Sequence, residues 1–253
     1  MSRIILKLGG SVITDKGGDC AIRADRIAAC AEEIARRRGA HIVLVHGAGS
    51  CGHPQARRYR LAEGIPPGDV AGIAGTHTAV ARLNAAIVEA LGKAGREAVG
   101  IHPIGHCIAE NGRLWDPDWR PVELLLGLGV TPVLHGDVVM DIVRGASIVS
   151  GDQLVASLSR ALSPDRVGLA TDVPGVLGRD GAVVERVWRG TAAGLAGGSG
   201  NPDVTGGMAG KLAELLELAD AGFAPAIFHA SRIGDFLDGR PHGGTIVEGR
   251  KPG

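Results

Sequence analysis

Two periodicities alternate along the chain. Short continuous apolar runs at Arg3–Leu8, Ile42–Val45, Thr131–His135, Arg166–Ala170 and Ala224–His229 have strand length and strand composition, as expected of strands covered on both faces. Between them, apolar positions recur every three to four residues. Arg23–Arg38 places Ile27, Cys30, Ala31 and Ile34 on one helical face. Asp69–Ala94 predicts one long helix whose stripe (Ile73, Thr76, His77, Val80, Leu83, Asn84, Ile87) is apolar and rich in small side chains. Such a stripe serves core packing or leaves a slot beside it, and His77 is either a satisfied, partly buried histidine or a substrate contact. Val122–Gly127, a helix capped by Ser150 and running to about Leu162, and Met208–Ala221 complete the helical segments. Strands alternating with helices predict an α/β fold with right-handed crossovers. Asn111-Gly112 predicts a type I′ hairpin joining Cys107–Glu110 to Arg113–Trp115. Ala98–His102 reads as a short strand, Val138–Asp141 pairs with Ser147–Val149, and Gly244–Val247 reads as an edge strand.

The chemistry-bearing residues cluster where strands end. His41–Tyr59 reads as a strand, a turn with Gly47, Gly49 and Gly52, and a helix whose first turn takes Pro54. N–H groups converging at such a turn make an anion site, and His53 adds a donor. Gly47–Gly52 also matches G-x-G-x-x-G, but it follows the second strand and no acidic residue ends a strand some 20 residues on, so a dinucleotide site is disfavoured. The first strand runs into KLGGSVITDK, where Gly9, Gly10 and Ser11 turn the chain between Lys7 and Lys16. Lys7 lies inside an apolar strand, where a charge needs an anionic partner. Asp152, near a helix start, is either a helix-terminus acid or the group that organises Lys7 and Lys16. Asp172 ends a third strand, where an acid suits a ribose or metal contact. Thr205 caps the next helix, and Lys211 sits in its first turn against the helix dipole, a conflict that a bound polyphosphate resolves. His102 and His106 have metal-ligand spacing for a helix, but Pro103 and Gly105 argue against a helix there.

Composition narrows the class. With 253 residues and 45% hydrophobic content, the chain suffices for one large domain or two lobes, the second beginning near Ser163-Pro164. Zero net charge without a basic stripe argues against nucleic-acid binding. No run reaches membrane-spanning length, and no N-terminal stretch has signal-peptide form. Cys20, Cys30, Cys51 and Cys107 are far apart and form no C-x-x-C pair, which predicts neither zinc nor disulfides and fits a reducing cytoplasm.

Phosphoryl transfer needs donors for the donor phosphates, donors for the acceptor, and positive charge between them. No P-loop is present, since position 205 is Thr and Lys211 precedes Leu212, and no protein-kinase H-R-D or D-F-G set occurs. The motifs KLGGS (7–11), HGAGSCGHPQARRY (46–59), VLHGDVVMD (133–141), SGDQL (150–154), TDVPGV (171–176) and DVTGGMAGK (203–211) resemble, in order, those of the amino acid kinase superfamily, and within it the isopentenyl phosphate kinases. That resemblance implies an open three-layer αβα sandwich with a mainly parallel central sheet, residues 1–163 forming an acceptor-binding and dimerising lobe and 164–253 an ATP-binding lobe. It implies a homodimer that moves the γ-phosphoryl of ATP, with Mg²⁺, onto isopentenyl phosphate. By the same resemblance Gly9, Gly10 and Ser11 lie along the ATP phosphates, Lys7 and Lys211 neutralise charge, and Lys16 stabilises the transferring group. Gly47, Ala48 and Gly52 present N–H groups, His53 binds the acceptor phosphate, Gly151 contacts the substrate, and Asp172 and Gly207 line the nucleotide site. A phosphate acceptor is already an oxyanion, so no general base is required. The chain departs from the pattern at Ala48, which requires a negative φ, at Cys51 in place of an aromatic, and at Pro174 in place of an acid. A kinase of another small phosphate or phosphonate, similar to fosfomycin kinases, is the alternative. A kinase of a carboxylate acceptor and a non-catalytic nucleotide-binding regulator rank below it.

Overall fold

Residue-by-residue alternation along the apolar runs sets the architecture. The computed structural model describes residues 2–15, 17, 20–65, 70–196 and 207–249. The chain runs through β1 (Arg3–Leu8), α1 (Gly10–Ile13), α2 (Ala24–Ala35), β2 (His41–His46), α3 (Gly49–Arg58), α4 (Ala71–Lys93), β3 (Ala98–Ile101), β4 (Ile108–Glu110) and β5 (Arg113–Trp115). It continues through α5 (Arg120–Gly127), β6 (Thr131–His135), β7 (Asp137–Asp141), β8 (Gly145–Val149), α6 (Gly151–Leu162), β9 (Arg166–Thr171) and β10 (Arg186–Val187). The last elements are α7 (Arg189–Ala196), α8 (Gly207–Asp220), β11 (Ala226–His229), α9 (Ile233–Leu237) and β12 (Thr245–Val247).

An eight-stranded sheet has the order β10-β12-β11-β9-β1-β2-β6-β3, and a four-stranded sheet the order β5-β4-β7-β8. From β11 to β3 every pairing in the large sheet is parallel, and β12 runs antiparallel to β11. Ile5, Val43 and Val45 share a core with Val122 of α5, Leu154 and Leu158 of α6, and Leu215 of α8. Their chain neighbours Ile4, Leu6, Ile42 and Leu44 join Ile27 and Ile34 of α2, Leu83 and Ile87 of α4, and Phe236 of α9. These are the three αβα layers that the alternating pattern and the resemblance implied.

Two readings change, at Thr245–Val247 and at Pro54. The segment at Thr245–Val247 is interior, between β11 and β10; the edge is the two-residue β10, too short to show any period. The division near residue 163 falls between halves of one sheet, since β1 pairs directly with β9 over Ile4–Leu8. Pro54 lies inside α3, which starts at Gly49. Proline lacks the N–H that would bond the Ser50 carbonyl, and the Cys20 N–H takes that carbonyl at 3.3 Å. The Asn111-Gly112 hairpin is as expected: both residues have positive φ (52° and 82°), as a type I′ turn requires.

Candidate active site

The carboxyl ends of β1 and β2 lie side by side, so their glycine turns meet. A Cβ on Gly10 would sit 2.6 Å from Gly49 Cα, and one on Gly47 would sit 2.8 Å from the Gly10 nitrogen. Gly49 has φ +51°, and a Cβ there would be 2.1 Å from Thr14 Oγ1. Thr14 joins the two turns, its hydroxyl donating to Gly10 O at 2.8 Å and accepting from Ser50 N at 3.0 Å. These glycines therefore answer first to the packing of one turn on the other.

Beside the paired turns opens a cavity of about 370 Å³. Lys7, Gly9, Gly10, Gly47, Ala48, Gly52, His53, Gly151 and Lys211 all line it, which brings together most of the residues singled out in the sequence. Period two explains Lys7: it shares the face of Ile5, over which α6 starts, and its Nζ meets Asp152 Oδ1 at 2.6 Å. Burial lowers the Lys7 pKa from its ordinary value; Asp152 opposes the shift and nearby Lys211 adds to it. Ser150 caps α6, accepting from Gln153 N, and so sets Gly151 and Asp152 at the cavity floor.

The turn after β2 supplies fewer N–H donors than expected. The Gly47 N–H bonds Leu8 O at 3.0 Å and the Gly52 N–H bonds Ala48 O at 3.3 Å, so these two glycines contribute space, not donors. With Ser50 N bound to Thr14, Ala48 is the residue of this turn that lines the cavity with its N–H taken by no other described backbone group. Ala48 has φ −72°, the negative value its side chain demands. His53, on the first turns of α3, is exposed as a residue, yet its ring lies against the cavity wall. Its pKa is lowered first by this partial desolvation, then by the positive charges of Arg57, Lys211 and Lys7.

The rest of the wall is apolar and polar in turn. Ala56, Val80, Ile148 and Val149 form the apolar part, so the small-residue stripe of α4 does border a slot. Gly136 and Asp137, which the motif at 133–141 contains but to which sequence reasoning assigned no role, line the cavity from the junction of β6 and β7. Asp137 accepts from Val138 N at 2.9 Å and from His77 Nδ1 at 3.0 Å, which gives His77 the satisfied, partly buried role. Burial raises the Asp137 pKa against the pull of His77.

Other expected site residues lie elsewhere. Ser11 and Asp172 line a separate cavity of about 390 Å³, with Arg23, His229 and Ser231. Gly207 begins α8. Lys16 and Thr205 fall outside the described residues. The cysteine reading is overturned: Cys20 and Cys51, 31 residues apart, form a disulfide with Cα atoms 3.9 Å apart. Chain spacing does not reveal that the loop after α1 folds back over the first turn of α3. Cys30 and Cys107 are free and buried.

Mg²⁺ was expected with the nucleotide. Each described carboxylate that lines the main cavity has a cation or histidine partner: Asp152 with Lys7, Asp137 with His77, Glu214 with Arg113. Among the described residues no group of three metal-ligating side chains is gathered.

The fold and the cavity can be set beside known proteins. The model of the amino acid kinase family matches residues 2–228. The chain belongs to the amino acid kinase family. The chain is 40% identical over 252 residues to the isopentenyl phosphate kinase of Haloferax volcanii, covering 98% of this chain and 100% of that one. It is 38% identical over 264 residues to the isopentenyl phosphate kinase of Methanothermobacter thermautotrophicus, covering 98% and 99% of the two chains. A crystal structure of an isopentenyl phosphate kinase superimposes with a TM-score of 0.85 at 35% identity, covering 97% of this chain and all of that one. Carbamate kinase from Giardia lamblia shares the fold, with a TM-score of 0.73 at 14% identity.

Proposed function

We propose that this member of the amino acid kinase family transfers the γ-phosphoryl group of ATP to isopentenyl phosphate, giving isopentenyl diphosphate and ADP. The observation that carries the reading is one cavity with two unlike walls, in a chain 40% identical to an isopentenyl phosphate kinase. Its anion-binding side has Lys7, Lys211, His53 and the turn at Ala48, and its other side has Ala56, Val80, Ile148 and Val149, fit for a short hydrocarbon tail. The acceptor is a phosphate oxyanion, so catalysis consists of positioning and charge stabilisation. His53 donates a hydrogen bond to the acceptor phosphate. Lys7, held by Asp152, and Lys211 neutralise the phosphates between which the group moves. In this reading Gly9, Gly10, Ser11, Asp172 and Gly207 belong to the nucleotide side, Lys16 acts on the transferring group, and Mg²⁺ arrives bound to ATP, where it neutralises phosphate charge.

The reading places the enzyme in isoprenoid-precursor synthesis. Its use of ATP favours the cytoplasm; the disulfide removes the cysteine-based argument for that compartment. No described helix is long and apolar enough to cross a membrane. A homodimer is supported by the family resemblance and by β3 lying at the open edge of the large sheet. The test is ADP release with Mg·ATP and a panel of isopentenyl, dimethylallyl and geranyl phosphates, fosfomycin and acetylglutamate. Highest turnover on the short prenyl phosphates is expected; silence on all of them refutes the proposed acceptor.

A further inference from the structure

His46 and His135 end the adjacent parallel strands β2 and β6 and are register partners. Both are fully buried, and their rings stack at 5.4 Å. Each ring repeats one arrangement. His46 Nδ1 lies 3.0 Å from the carbonyl of Gly47, and His135 Nδ1 lies 3.1 Å from that of Gly136. A carbonyl only accepts, so Nδ1 carries the proton in both rings. Burial pushes the His46 pKa down to about 4 and that of His135 to about 3, so the rings are neutral and each Nε2 accepts. Each Nε2 meets a donor: Asn84 Nδ2 at 3.2 Å from His46, and His102 Nδ1 at 2.8 Å from His135. The Asn84 amide is itself oriented, because Nδ2 also donates to Val133 O at 3.1 Å.

Peptide geometry gives this arrangement its consequence. In a trans peptide the C=O and the following N–H point in opposite directions. A Gly47 carbonyl held against the buried ring turns the Ala48 N–H away from that ring, and Ala48 lines the cavity. We propose that His46 is a positioning residue for the phosphoryl acceptor: its Nδ1–H holds the Gly47 carbonyl, which aims the Ala48 N–H at the acceptor phosphate, and Asn84 locks the tautomer. His135 fixes the companion turn at Gly136, where the chain leaves β6 for β7. The inference rests on reading the cavity as a phosphate-acceptor site.

Three measurements test it. In a long-range ¹H–¹⁵N spectrum of the wild-type protein at neutral pH, His46 is expected as the Nδ1–H tautomer; the Nε2–H tautomer overturns the proposal whatever the acceptor is. Titration with inorganic phosphate is expected to shift the Ala48 amide resonance in the wild type, and an unmoved resonance overturns the proposal even if isopentenyl phosphate proves not to be the substrate. In steady-state kinetics with isopentenyl phosphate, His46→Leu is expected to raise the acceptor KM about tenfold or more while leaving the ATP KM nearly unchanged, as loss of one donor to a charged group implies. His46→Asn, which keeps an N–H near the Nδ1 position, is expected to recover most of that loss. Equal rises in both KM values, or no rise, refute the positioning role. If His46→Leu does not fold, the spectrum and the titration decide alone.

Discussion

Lys7 Nζ and Asp152 Oδ1 form a 2.6 Å ion pair under the main cavity, and the lysine side chain is the deeper partner at 5% exposure against 13%. The asymmetry sets what each substitution does. Asp152→Asn strands a buried ammonium and is expected to cost about 3–5 kcal/mol of stability. Lys7→Met leaves the more exposed carboxylate and is expected to cost less stability, while abolishing most turnover. Thermal denaturation and kcat on the two variants check this; a larger loss of stability in Lys7→Met contradicts it.

His53→Ala is expected to remove most turnover, with kcat/KM for the acceptor falling about 100-fold, as loss of a donor to a phosphate implies. ATP affinity, read by calorimetry, is expected to stay nearly constant. An equal loss of ATP affinity removes His53 from the acceptor side.

Reduction of the Cys20–Cys51 disulfide, which closes a 31-residue separation, is expected to lower stability by about 3–4 kcal/mol on chain-entropy grounds. Thiol titration of the unfolded protein is expected to find two free thiols before reduction, from Cys30 and Cys107, and four after it. Four before reduction refutes the bond.

The buried histidines make stability fall in acid. Folded His46 and His135 titrate near 4 and near 3, below the ordinary value of 6.5, so the unfolded chain binds their protons first. Stability from this pair is complete above about pH 6.5 and declines below it, by up to roughly 1.4 kcal/mol per pH unit for each ring, levelling off only below the folded values. Denaturation midpoints from pH 7.5 to 4.5 test this. Replacing His135 by Leu is expected to shallow the slope even if the overall stability changes.

Two glycines make opposite predictions. Gly10→Ala puts a methyl 2.6 Å from the Gly49 backbone and is expected to separate the two turns, with loss of both stability and activity. Gly75 lies exposed inside α4 with nothing within 4 Å of an added Cβ. Gly75→Ala is expected to stabilise the protein by about 0.5–1 kcal/mol through helix propensity, measured by urea denaturation.

The sequence by itself determined the main strands and the longer helices and their order, because an apolar run or a 3.6-residue stripe is a local property with a local signature; the short α1, α7 and α9 were not read from it. It also marked Lys7 as needing an anion, since an ammonium inside an apolar strand has no other stable arrangement. It identified the turns at Gly9-Gly10 and Gly47–Gly52, and their resemblance to a family of kinases. The two-residue β10 was too short to carry a period and escaped it, and the strand read at Gly244–Val247 was taken for an edge because nothing local marks β10 as its outer neighbour.

Only the tertiary structure decided which of these pieces meet. It chose Asp152 for Lys7 by starting α6 over the face that Ile5 and Lys7 share. The glycines turned out to be required by turn-on-turn packing, and two expected N–H donors were taken by Leu8 and Ala48. Cys20 came to Cys51, and His46 to His135, across 31 and 89 residues of chain. The physical reason is common to all four. Burial, backbone hydrogen bonding and close contact are set by neighbours in space, and in a parallel sheet those neighbours are separated along the chain by whole crossover helices.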